Sequence, residues 1–175
     1  MRYGGLASAT INQRDREKGG GELEEKAAVG MAAIGDVPSW MELVRKMEAY
    51  FPGMEMESYR ETVVKNIKRG SALCAKSGEQ VVGFLLFSKR QNCLSQLAVH
   101  PDWQRQGIGA DMVRLMLEKL DFARDVAVTT YRADDPMGEA ARRFYRRFGF
   151  SEEDECYEYG YPVQKFVLHR KPQED

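Results

Sequence analysis

From Ala27 onward the chain alternates between short apolar runs and stretches with helical spacing. Ala27 to Ile34 is an apolar run of strand length. Asp36 then offers an N-cap oxygen, and Pro38 falls in a first helical turn, where its missing N–H costs nothing. Val37, Trp40, Met41, Val44, Met47 and Phe51 recur at helical spacing, and Pro52-Gly53 is expected to end that helix. Met56, Tyr59, Val63 and Ile67 mark a second amphipathic helix, stopped at Gly70. Three strands are expected next: Ala72 to Lys76, Gln80 to Ser88 and Cys93 to Val99. The middle one, QVVGFLLFS, is apolar on both faces, as a central strand must be, and Ser77-Gly78-Glu79 reads as a hairpin turn before it. A long helix is expected from Gly107 to Leu120, then a strand from Val126 to Tyr131. Pro136 opens a helix carrying Ala141, Phe144, Tyr145 and Phe148 on one face, and Gly149 suits its left-handed end. Two closing strands, Glu153 to Tyr159 and Val163 to Arg170, flank Gly160-Tyr161-Pro162.

The order is strand, two helices, three strands, helix, strand, helix, two strands. The unit 93–131 is a parallel crossover, while both ends read as antiparallel. This defines an α/β (α+β) mixed sheet of about seven strands with helices on both faces. Residues 1–24 are polar, rich in glycine and without periodicity, and are read as a flexible extension; residues 25–172 are read as one domain.

Composition narrows the chemistry. Lys and Arg number 26 against 27 Asp and Glu, so a net charge of -1 excludes a general grip on nucleic acid or anionic membrane. No run reaches the ~20 apolar residues of a membrane-spanning helix. Cys74, Cys93 and Cys156 form no paired motif, and His100 and His169 are the two imidazoles, so neither a disulfide framework nor a metal site is expected. The start lacks the apolar core of a signal peptide, and a cytoplasmic location follows.

The informative stretch is LAVHPDWQRQGIGADMV, residues 97–113. A strand ends at Pro101 and a loop delivers Gln104-Arg105-Gln106-Gly107-Ile108-Gly109-Ala110 into a helix N-terminus. First-turn N–H groups lack helical partners and carry the positive end of the helix dipole. Glycines at 107 and 109 keep side chains off that backbone, and Arg105 adds charge. This is how a phosphate cradle is built. The third glycine of a dinucleotide fingerprint is replaced by Met112, and no lysine follows as in a P-loop.

Gln104-x-x-Gly107-x-Gly109 after an apolar strand resembles the acetyl-CoA motif of the GNAT superfamily of N-acetyltransferases. Ala141-x-x-x-Tyr145-x-x-x-Gly149-Phe150 resembles a second motif of that family, in the right order. The resemblance implies a GNAT-like fold splayed between strands four and five, with acetyl-CoA as cosubstrate. It implies direct acetyl transfer to a primary amine of a small-molecule or peptide acceptor, without an acyl-enzyme. It assigns cofactor contacts to Leu97, Ala98 and Val99, at a bulge near the end of strand four, and to Gln104, Arg105, Gln106, Gly107, Ile108, Gly109 and Ala110. It assigns Tyr145 to protonation of the leaving thiolate. Dimerisation through the last strands is common in that family and stays open here.

Two positions depart from the family pattern. A strand-four Glu of many relatives is Ser95 here, and an Asn seven residues before the tyrosine is Gly138. A non-catalytic acyl-CoA-binding or sensing module is therefore the alternative. Glu57, Glu61, Glu155, Glu158, His100 or an ordered water are the substitute bases that remain. Arg142, Arg143, Arg146 and Arg147 line one helix face, either solvated or reaching the 3′-phosphate of CoA. The acidic run 152–155 either attracts a cationic amine or is a solvated loop.

Overall fold

The computed structural model describes residues 26–170, so the expected extension at 1–24 lies outside the described residues. A seven-stranded sheet has strands β1 (Ala28–Met31), β2 (Ala72–Ser77), β3 (Gln80–Ser88), β4 (Cys93–Val99), β5 (Val126–Tyr131), β6 (Ser151–Glu158) and β7 (Tyr161–Leu168). Their order across the sheet is β1-β2-β3-β4-β5-β7-β6. Every neighbouring pair is antiparallel except β4 and β5. Among the described residues the four α-helices are α1 (Val37–Lys46), α2 (Met56–Lys68), α3 (Ile108–Lys119) and α4 (Glu139–Arg147). Among the described residues no helix is long and apolar enough to cross a membrane.

Two apolar clusters lie on opposite faces of the sheet. On one, α1 and α2 cover Phe84, Leu86, Ala98 and Cys74. On the other, α3 and α4 cover Val82, Leu85, Leu97, Val99 and Val128. The double cover explains why β3 is apolar at nearly every position: alternate residues enter different cores. Trp40 stacks on Phe84 with ring centroids 4.8 Å apart. Its Nε1 donates to the Tyr59 hydroxyl (3.2 Å), which donates to Gln96 Oε1 (2.6 Å). This buried chain joins α1, α2 and β4.

Several boundaries differ from the sequence expectation. Residues 34–36 form a 3-10 turn ahead of α1, so Asp36 has helical backbone angles and does not cap the helix with its side chain. Its carboxylate instead accepts from Ala33 N–H (2.8 Å) and pairs with Lys76 (3.0 Å). Burial raises the Asp36 pKa, but these bonds outweigh it and hold the carboxyl below its usual range. Helix α1 stops at Lys46, where Met47 leaves helical geometry, and a 3-10 turn over Glu48–Tyr50 carries the chain on to Pro52-Gly53. Pro136 likewise opens a 3-10 turn, with α4 starting at Glu139. The two closing strands each begin two residues earlier than expected, at Ser151 and Tyr161.

Candidate active site

Strands β4 and β5 share a single paired position, Cys93 with Ala127. Beyond it they part, leaving a fork that opens toward their C-terminal ends. Asn92 latches the closed end. It is fully buried, its Nδ2 reaches the carbonyls of Asp121 (3.3 Å), Arg124 (3.1 Å) and Asp125 (3.1 Å), and its Oδ1 accepts from Asp121 N–H (2.9 Å). It is left-handed at φ 51, a conformation that asparagine tolerates better than most residues. The sequence reading passed over this residue.

The edge of β4 along the fork follows from strand alternation. His100 N–H donates to Val82 O (2.8 Å), so the bonded pairs on this stretch are His100 with Val82 and Ala98 with Phe84. Leu97 and Val99 therefore turn their amides away from β3, toward the fork. Gln104 Nε2 donates to Val99 O (2.9 Å) from the same side. Two expectations are corrected here. Ala98 is no wall of the site, because it is fully buried against the α1–α2 core and its amide belongs to the β3 ladder. The bulge lies earlier than Leu97–Val99, at Ser95, where Phe87 and Leu86 face Leu94 and Gln96.

The loop after β4 turns through two left-handed residues, Arg105 (φ 63) and Gly107 (φ 81). Such alternation of hand directs successive N–H groups to one side. Gly107 is the N-cap of α3, with no side chain bonded to the helix end, and the ladder starts at Asp111 N–H to Gly107 O (2.9 Å). The amides of Ile108, Gly109 and Ala110 thus face outward. Gly109 sits against the Phe144 ring, where a Cβ has its nearest contact at 3.6 Å and any longer side chain would enter the cleft.

These groups border one cleft of about 730 Å³. Leu97, Val99, Gln104, Arg105, Gly107, Ile108, Gly109 and Ala110 line it, so the structure gathers eight of the ten expected contact residues; Ala98 and Gln106 are outside. Arg114, Arg143 and Arg147 join Arg105, placing four guanidiniums on its walls. Arg114 and Arg143 also pair with Asp111 (3.0 Å) and Glu139 (2.9 Å) on their own helices. Tyr50, Trp103, Met137 and Phe148 are walls that the sequence did not announce. An uncapped helix N-terminus, four cations and a slot between strand edges fit a long thioester bearing phosphates.

The arginine face of α4 divides three ways. Arg143 and Arg147 reach the cleft, and Arg146 pairs with Glu152. Arg142 is buried, donating through Nη1 to the carbonyls of Tyr131 (3.3 Å) and Arg132 and through Nη2 to that of Ala133 (3.1 Å). Gly138 makes room for it. A Cβ there would lie 2.4 Å from Tyr131 Cβ and 2.8 Å from Arg142 Nη1. The asparagine of many relatives has no space at this position, and the guanidinium holds the 132–137 rim instead.

Tyr145 lies beneath the cleft and is not one of its walls. It is fully buried against Phe144, Phe150 and Phe166, with centroids 5.4, 5.7 and 6.0 Å away, in the cluster that holds Leu97. Burial raises its pKa, so the phenol is protonated at neutral pH.

The candidate bases fare differently. Glu57 is exposed beside Arg60 (4.0 Å), Glu61 is exposed, and Glu155 pairs with Arg132 (3.3 Å). His100 Nδ1 accepts from Asp102 N–H (3.1 Å), serving the turn. Three members of the acidic run form ion pairs: besides Glu155, Glu152 pairs with Arg146 and Glu153 with Lys165 (3.7 Å) and His169 (3.0 Å). Among the candidate carboxylates Glu158 alone is half-buried, accepting from Thr129 Oγ1 (3.0 Å); burial raises its pKa against that bond.

Residues 68–152 match the family model of the acetyltransferase (GNAT) domain. The fold is shared with a GNAT-family acetyltransferase from Bacillus cereus at 19% identity and a TM-score of 0.67, over 83% of this chain and 98% of that one. It is also shared with the PaiA N-acetyltransferase of Thermoplasma acidophilum, solved with coenzyme A, at 18% identity and a TM-score of 0.59, over 81% and 98% of the two chains. The ribosomal-protein-S18-alanine N-acetyltransferase of Escherichia coli is similar at 18% identity and a TM-score of 0.60, over 81% and 90%. A search of curated protein sequences returns no match. Residues 68–152 are thus similar to a GNAT acetyltransferase domain, and the described chain has the fold of the GNAT-family structures named above.

Proposed function

We propose that this chain transfers acetyl directly from acetyl-CoA to a primary amine of a small molecule or peptide, in the cytoplasm, with Tyr145 as general acid. The observation that carries the reading is the uncapped N-terminus of α3, ringed by four guanidiniums at the mouth of the β4–β5 fork. Acetyl-CoA supplies the activated acetyl thioester. The amides of Ile108 to Ala110 and the arginines bind the phosphates. The free edge of β4 at Leu97 and Val99 holds the pantetheine arm in line. A donor on that edge holds the negative charge that develops on the thioester oxygen in the transition state. Alignment of two reactants in one slot supplies up to about 7 kcal/mol or more of the barrier reduction. Tyr145, kept protonated by burial, gives its proton to the departing sulfur. Its three cysteines are free thiols, in keeping with a reducing compartment.

Thiol release from acetyl-CoA across an amine panel tests the reaction. Tyr145→Phe is expected to lower kcat by about 100-fold or more while acetyl-CoA affinity changes less than about threefold. Unchanged turnover in that variant removes Tyr145 from the chemistry. Tight acetyl-CoA binding by the wild-type chain with no thiol release to any amine selects the sensing module.

A further inference from the structure

An amine attacks a thioester only as the neutral base, and an alkyl ammonium has a pKa of about 10. A group on the acceptor side of the fork must therefore take a proton. On β4, just past the paired Cys93, stands Ser95, which carries no carboxylate to take it. We propose that Glu158, carried over from β6, is the general base of the acetyl transfer. This rests on the acetyltransferase reading above.

The placement comes from three strands. Cys93 and Ala127 are the last paired positions before β4 and β5 separate. Past them come the bulged Ser95 on β4 and, on the same face as Ala127, Thr129, at the root of the fork. Val128 enters the core under α3 and α4, so Thr129 faces the opposite side, away from the cleft that takes the phosphates. Glu158 Oε1 accepts from Thr129 Oγ1 (3.0 Å), although β7 separates β6 from β5 in the sheet. The β6–β7 hairpin must therefore curl back over this face. Its charge is also felt on β4: after burial, it is among the causes that hold the Cys93 thiol above its usual range. It acts on Cys156 of its own strand in the same sense.

The surroundings leave Glu158 uncommitted. It forms no ion pair among the described residues, because the nearby cations are engaged elsewhere. Arg132 pairs with Glu155 (3.3 Å) and donates to Cys156 O (3.0 Å), and Lys165 pairs with Glu153 (3.7 Å). A hydroxyl from β5 bonds it, and the thiols of Cys93 and Cys156 lie within range of its charge. Thr129 fixes one oxygen and leaves the other to receive a proton. Among the described carboxylates Glu158 is the one held above its usual pKa range, chiefly by burial.

The step balances. The amine nitrogen bonds to the acetyl carbon, and the C–S bond breaks with its electron pair passing to sulfur. The ammonium first gives one proton to Glu158; after the attack the nitrogen loses its second proton to solvent, and sulfur takes one from Tyr145. Exchange with solvent returns both side chains to their starting states.

Glu158→Gln keeps an oxygen for Thr129 and removes the base. It is measured by thiol release from acetyl-CoA with 1,4-diaminobutane and with an alanyl tripeptide, from pH 6 to 10, beside calorimetric acetyl-CoA binding and thermal unfolding. The expected result is about a 100-fold or greater loss of kcat at pH 7. That loss shrinks as pH rises toward the pKa of the amine, with acetyl-CoA affinity kept and Tm kept or raised. Activity within threefold of wild type at pH 7 overturns the proposal. So does a loss that is the same at every pH, or one that comes with a lower Tm, since either marks a structural role. Wild-type protein that binds acetyl-CoA but acetylates no amine overturns the reading beneath it, a result distinct from an active wild type with an active Glu158→Gln.

Discussion

Gly138 shows how one small side chain sets the course of a site. With no room for a Cβ beside Tyr131, the position admits glycine alone unless the neighbours move. The space belongs to Arg142, whose guanidinium ties together the carbonyls of Tyr131, at the end of β5, and of Ala133, just past it. Gly138→Ala is therefore expected to cost about 1–3 kcal/mol in denaturant unfolding, the range for overpacking. It should also raise the KM for acetyl-CoA severalfold, because Pro136 and Met137 of the rim line the cleft. A variant as stable as wild type, with the same KM, removes the pairing of Gly138 with Arg142 from the account. From sequence, Gly138 was legible as a departure from the family pattern. Its reason was not, because the clash involves Tyr131 and Arg142, brought together by the turn at 136–138.

At the scale of elements, β3, β4 and β5 fall where the apolar runs put them, and β3, covered on both faces, leaves an unbroken hydrophobic record. The edge hairpin is less legible. Strand β6 is exposed at most positions, so its ends leave no apolar signature, and its curl over the sheet comes from tertiary contacts such as that of Glu158 with Thr129. The closed end of the fork is harder still. Asn92 looks like ordinary turn chemistry, yet it bonds to carbonyls about thirty residues away. Asn92→Ala leaves those groups unpaired, forfeits a residue suited to positive φ, and is expected to cost about 2–4 kcal/mol. Because the latch sets how β4 and β5 diverge, the same variant should lose acetyl-CoA affinity at temperatures where it is still folded. Calorimetric binding beside an unfolding curve separates the two effects; full affinity in a destabilised variant would restrict Asn92 to folding.

Across the whole molecule, a net charge of -1 conceals a division of labour. Arg105, Arg114, Arg143 and Arg147 gather at one cleft, although they come from a loop and two helices that are far apart in sequence. The carboxylates of β6 gather on the hairpin and are mostly neutralised by local pairs. A polyanionic substrate is thus drawn to one end of the fork while the chain as a whole carries little field. Exposed charges of this kind act through screened attraction, so their effect depends on ionic strength. The double variant Arg143→Ala, Arg147→Ala is expected to weaken CoA binding by about tenfold at low salt, on the scale of charge-assisted contacts softened by exposure. Raising the salt to about 0.5 M should shrink that difference, since the screening length falls below the reach of the guanidiniums. CoA lacking its 3′-phosphate should lose less than CoA does if these arginines hold that group. Equal losses for both would assign them to the pyrophosphate, and no loss for either would leave the helix N-terminus as the anion site by itself.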